Sequence, residues 1–165
     1  MKNAPLERVG IAITVGAAAL MLAGCVQLGG GPTTNTAPQE VETDVSELAI
    51  GACFNASLAS GAPSSVDVID CAGLHDFEVY QSVALDDGDF PGEAETEASA
   101  QDECSIAFEE FAGIAYSDSV LLVNYFYPSE LTWATGDRVI ICVVQDGDID
   151  GTPLQVTGSL AGVAR

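Results

Sequence analysis

The chain has 165 residues, with 25 Asp plus Glu against 4 Lys plus Arg, and a formal net charge of −21. Its length suits one cored domain with extensions and leaves little room for two, while the 48% hydrophobic content excludes a wholly disordered acidic chain. The charge also excludes nucleic acid as a partner, because phosphate binding draws on Lys and Arg.

Two of the four basic residues, Lys2 and Arg8, stand in the first eight positions, and residues 9–24 form an apolar, small-residue run. The run is shorter than the roughly 20 residues that span a bilayer as a helix, so residues 1–24 are predicted to be an export signal. Leu22-Ala23-Gly24-Cys25 resembles the bacterial lipobox, which implies cleavage before Cys25 and diacylation of its thiol; a soluble secreted protein and an uncleaved anchor helix are the alternatives. Two or more acyl chains anchor stably where one does not, which places the chain on the extracytoplasmic face of the cell membrane, held by the lipid on Cys25. Residues 25–46 contain Gly29-Gly30-Gly31-Pro32, several threonines and an acidic stretch without apolar periodicity, and are predicted to be a flexible linker. A tether of this kind holds the domain about 25 Å from the membrane on average. From residue 25 onward there are 24 acidic and 2 basic residues, a net −22, and no lysine.

Residues 47–165 read as one domain. Residues 48–54 form a predicted first strand, 57–65 a Ser/Ala/Gly/Pro loop, 65–71 a second strand by alternation, and 75–85 a third, in which Gln81 interrupts the apolar pattern. Residues 93–112 form the clearest helix: Ala100, Cys104, Ala107, Phe108 and Phe111 recur at steps of three and four, and Gly113 supplies the stop. Residues 120–127 form a further strand ended by Pro128, 129–133 a helical turn, 138–145 a central strand apolar on both sides, and 153–158 a last short strand. The expected fold is α+β, a small antiparallel sheet packed on one main helix.

Apart from Cys25, the cysteines are Cys53, Cys71, Cys104 and Cys142. An even number in an exported chain predicts two disulfides, with three pairings open. Cys53 and Cys71 end neighbouring strands around one loop, and Cys104 on the apolar helix face can meet Cys142 on the central strand, which favours Cys53–Cys71 and Cys104–Cys142. No C-x-x-C pair is present and His75 is the lone histidine, so a structural zinc site is not expected.

Gly51-Ala52-Cys53-Phe54-Asn55, Val66-Asp67-Val68-Ile69-Asp70-Cys71 and His75-Asp76-Phe77-Glu78-Val79 together resemble the opening of the septum-formation domain of actinobacterial envelope proteins. Phe90-Pro91-Gly92, Cys104, Trp133-Ala134, Gly136-Asp137-Arg138, Cys142 and Thr157-Gly158-Ser159-Leu160 continue the likeness in order. The resemblance covers about 110 residues and implies an envelope role linked to septation. It implies no catalytic residues. Ala52, where the family tends to carry an acid, and Leu74 before His75, where it tends to carry proline, depart from the pattern.

Four constellations bear chemistry. His75, Asp76 and Glu78 form a His-plus-carboxylate cluster; on a strand Asp76 and Glu78 would share one face and His75 the other, and the plain alternative is a histidine bonded to a backbone carbonyl. Asp146, Asp148 and Asp150 with Gly151 resemble the first half of a calcium loop, but Thr157 stands where an EF-hand needs Glu; an acidic hairpin turn is the plain alternative. Arg138, beside Asp137, is expected to make an ion pair or to stack on Trp133, with anion binding as the sharper alternative. Tyr125, Phe126, Tyr127 and Trp133 offer an aromatic patch or core. The function expected is a non-enzymatic binding or structural domain with an envelope protein or cell-wall partner and no cofactor. A calcium-dependent binding module and a cell-wall hydrolase with two converging carboxylates are the alternatives.

Overall fold

The computed structural model describes residues 40–165; the expected export signal, Cys25 and the linker as far as residue 39 lie outside the described residues. In chain order the elements are β1 (Val41–Asp44), β2 (Cys53–Phe54), β3 (Ser65–Ile69), β4 (Phe77–Ala84), α1 (Glu93–Ala112), β5 (Leu122–Phe126), α2 (Glu130–Ala134), β6 (Val139–Gly147) and β7 (Pro153–Leu154). The strands make a curled antiparallel sheet in the order β1-β3-β2-β4-β6-β5, with β7 added to β6.

The nine residues of β6 run through the middle of the sheet, and Val139–Val144 are apolar on both faces. Ile140, Cys142 and Val144 face one core with Tyr80, Leu121, Leu160 and the α1 residues Ala100, Cys104, Phe108 and Ala112. Ile141 and Val143 face a second core with Phe54, Phe77, Val79 and Phe126, closed by Val45, Leu48 and Val66. A strand buried on both sides cannot alternate, which is why 139–144 reads as a continuous apolar run. Helix α1 contributes a narrow stripe at steps of four, Thr96, Ala100, Cys104, Phe108 and Ala112, and ends at Gly113, whose φ of 77° places it in the left-handed region that favours glycine.

The interruption at Gln81 has a structural cause. The register of β4 on β6 shifts between Val79 and Gln81, a β-bulge, so Glu78 and Tyr80 before it and Val83 after it all turn toward the helix side. One extra residue resets the alternation.

Three expected boundaries are corrected. Residues 41–46, expected in the linker, form β1, paired with β3 from Val41↔Val68 to Asp44↔Ser65, and then a 3-10 turn at Val45–Glu47. The pairing is supplied by the neighbouring strand, and a four-residue segment carrying two acids has no periodicity to announce it. The strand expected over 48–54 shrinks to Cys53–Phe54: Gly51 takes a φ of 85°, and Val45 and Leu48 cap the second core instead of extending a ladder. The last strand, expected over 153–158, is β7 plus an isolated bridge between Val156 and His75.

Both disulfides form as favoured. Cys53–Cys71 closes 18 residues and Cys104–Cys142 closes 38, with Cα–Cα distances of 5.3 and 5.4 Å. The second staples α1 to the central strand.

Candidate functional site

His75, Cys53 and Glu78 come together: one ligand atom of each lies within 4.8 Å of the others, and all three are buried. His75 does not lie opposite Glu78 as strand alternation would have it, because β4 begins at Phe77 and His75 belongs to the preceding loop. That loop is held by paired backbone bonds between His75 and Val156, each 3.0 Å. His75 Nδ1 lies 3.0 Å from the Gly73 carbonyl oxygen; a carbonyl only accepts, so Nδ1 carries the proton. Nε2 has no hydrogen-bond partner among the described residues.

The chemistry of the trio is restrained by its bonds. Cys53 is spent in the disulfide to Cys71. Both oxygens of Glu78 are occupied, one by the Ser159 hydroxyl at 2.7 Å and the other by the Leu160 amide at 2.6 Å. The buried carboxylate therefore pins the 159–160 turn onto the sheet, and Leu160 plugs the helix-side core. Asp76 faces elsewhere: its carboxylate accepts from the Ala56 amide, and its amide donates to Asn55 Oδ1 at 2.9 Å. Thiolate, imidazole and carboxylate would make a ligand set only if the disulfide were open and Glu78 released, so the oxidised domain does not offer this trio to a metal.

Arg138 stacks on Trp133, with Cζ 3.7 Å from the ring centroid. One of its terminal nitrogens donates to the carbonyls of Trp133 and Asp137 at 2.8 and 2.7 Å. Its Nε lies 3.6 Å from the exposed Asp87 carboxylate, an ion pair without a hydrogen bond. The Trp133 indole donates to Gly88 O and packs on Phe90, and Asp137 accepts from the Val139 amide. The guanidinium thus ties α2 to the 86–90 turn and is engaged in that tie.

Residues 146–151, where an acidic hairpin turn is the plain reading and a calcium loop the alternative, leave the end of β6 as a turn. Asp146 lies on β6, buried, with its carboxylate accepting from the Gly147 amide and paired with Arg165. Asp148 accepts from the amides of Asp150 and Thr152, and the Thr152 bond foremost holds its carboxyl below the usual aspartate value. Asp150 is exposed. The three carboxylates do not gather as one ligand group, because β6 continues through Gly147 and keeps Asp146 in the strand. Of the aromatic run, Phe126 belongs to the second core, whereas Tyr125 and Tyr127 pack half-buried on the helix side.

Residue spacing does not announce the Ser159–Glu78 and Arg165–Asp146 pairs, which join positions 81 and 19 residues apart, nor two clefts along β5. One, about 280 Å³, lies between Asp44–Val45–Ser46 with residues 62–64 and Phe126 with Ile141. The other, about 550 Å³, lies between residues 56–59 and Leu122, Asn124 and Phe77. Asp44 and Asp137 line the first cleft. The hydroxyl and amide of Ser46 hold the Asp44 carboxyl below its ordinary value, the reverse of the raised carboxyl that a glycosidase acid requires.

The chain is 24% identical over 162 aligned residues to two Mycobacterium tuberculosis proteins, from strains CDC 1551 / Oshkosh and H37Rv, each described as an uncharacterized membrane protein. The alignments cover 90% of this chain and 34% of each relative, so the chain spans about a third of their length. No solved structure matches it. Residues 50–165 match the family described as Septum formation, from just before β2 through the last residue, and the chain belongs to that family.

Proposed function

We propose that the chain is a non-enzymatic binding module of the cell envelope, carried on the outer face of the membrane by a lipid on Cys25 and working in or beside septum formation. The observation that carries this reading is the employment of the polar groups. Glu78, Asp76, Asp137, Arg138, Asp146 and Asp148 each hold a backbone turn or a neighbouring element, and His75 is fully buried. Of these, His75, Glu78 and Asp146 are buried and the rest are engaged by backbone groups, while the clefts beside β5 are open and lined mainly by neutral side chains.

The family description supports the septation link, and the relatives' description as membrane proteins supports the location. No helix of the described residues is long and apolar enough to cross a membrane, consistent with attachment through residues ahead of residue 40. The acidity fits a domain standing away from an anionic leaflet, which would repel it.

The test is incubation of the purified full chain with isolated cell envelopes. Saturable binding without release of soluble wall fragments is the expected result. Time-dependent fragment release that a single Asp or Glu substitution abolishes would overturn the reading in favour of a hydrolase, and calcium-dependent binding lost in Asp148→Asn would favour the calcium module.

A further inference from the structure

β5 is an outer strand of the sheet and pairs, among the described residues, with β6 alone. Outer strands expose unpaired amides and carbonyls, and proteins guard them with charge, proline or brevity. The opposite edge is guarded: β1 has four residues, two of them Glu42 and Asp44. β5 is not. Its sequence Leu-Val-Asn-Tyr-Phe lies inside residues 119–129, which contain no charged side chain, in a domain with 24 acids.

The register places Leu122, Asn124 and Phe126 opposite Gln145, Val143 and Ile141; Leu122 and Asn124, with Val123 between them, line one cleft, and Phe126, with Tyr127, lines the other. The facing wall comes from residues 56–64, part of another uncharged stretch, 48–66. At one end of the sheet the curl brings Asp44, where β1 finishes, and Phe126 into the same cleft. The lane between β5 and the 56–64 wall is therefore a neutral slot beside an unpaired edge, in an acidic surround, with Asp44 and Asp137 at its end.

We propose that this lane accepts an extended peptide segment of a partner protein, added as a strand to β5, with apolar residues at alternate positions and Lys or Arg flanking them. The inference rests on the binding reading above and names its site. Main-chain pairing to a free edge suits an extended peptide, with the clefts taking every second side chain. Charge selects among peptides: two copies of a domain carrying 24 acids and 2 basic residues repel each other, as does an acidic segment, whereas a cationic one is drawn in.

The experiment places a benzophenone side chain at Leu122 or Asn124 of the full chain in intact cells. The control is Ile106, 75% exposed on the outer face of α1. Expected are protein adducts at 122 and 124 and none at 106, with the captured segment alternating apolar and carrying net positive charge. Asn124→Lys, at a half-buried edge position, should leave the melting temperature unchanged and abolish the adduct at 122. The proposal is overturned if adducts arise at 106 instead, if position 124 captures a second copy of this chain or a glycan, or if Asn124→Lys leaves the yield at 122 unaltered. Envelope binding with no adduct at 122 or 124 refutes the lane and spares the binding reading; absence of envelope binding refutes the reading itself.

Discussion

Single residues in this domain carry structure through burial. Tyr80 is inside the helix-side core, where its hydroxyl donates to the Cys104 carbonyl at 2.8 Å and its ring packs on Phe108 and Phe111. Burial, helped by Tyr116, pushes its phenol well above the ordinary value of 10.0. The phenol stays protonated in the folded chain while the unfolded chain ionises it, so its contribution is intact below pH 10 and is lost as pH rises beyond it. Tyr80→Phe should flatten the fall of the melting temperature at alkaline pH, while losing about 1 kcal/mol at neutral pH with the hydrogen bond. An unchanged alkaline slope would show that another group titrates there. The same scale marks what was legible beforehand. His75 bonded to a carbonyl and Arg138 stacked on Trp133 follow from residue types and short spacing. The carboxylates of Glu78 and Asp146 did not declare themselves, because their partners Ser159 and Arg165 are brought near only by the finished fold.

Elements were legible in proportion to their length and periodicity. Helix α1 and strand β6 match the expected ranges closely, since twenty and nine residues each give several repeats of their pattern. β1 and β2, of four and two residues, give none and exist because β3 and β4 offer them partners. The disulfides bind these two grades of element. Cys104–Cys142 joins the helix to the central strand and Cys53–Cys71 anchors the short β2, closing 38 and 18 residues. In the chain-entropy account they contribute about 4 and about 3 kcal/mol respectively. The Cys104→Ala/Cys142→Ala pair should therefore lower the urea midpoint more than Cys53→Ala/Cys71→Ala, and should also loosen α1 in amide exchange. The reverse order would mean that β2 and its loop, not the helix staple, limit unfolding.

At the scale of the molecule, charge is the dominant asymmetry. The described residues hold 24 acids and only Arg138 and Arg165 as bases, and only two ion pairs form among them, Arg138–Asp87 and Arg165–Asp146. Screening therefore has much repulsion to relieve and little attraction to weaken. Raising sodium chloride from about 0.01 M to about 0.15 M should raise the melting temperature by a few degrees; a fall would show that the two ion pairs outweigh the diffuse repulsion. The same asymmetry gives the most direct test of partner binding. With many exposed carboxylates and no lysine in residues 40–165, a carbodiimide can couple this domain to another molecule's amines without joining two copies of it through lysine. Treatment of intact cells should give discrete adducts of one partner, diminished in Asn124→Arg, which adds the same charge without an amine that a carbodiimide couples, whereas a domain that stays uncoupled in intact cells would contradict a binding role.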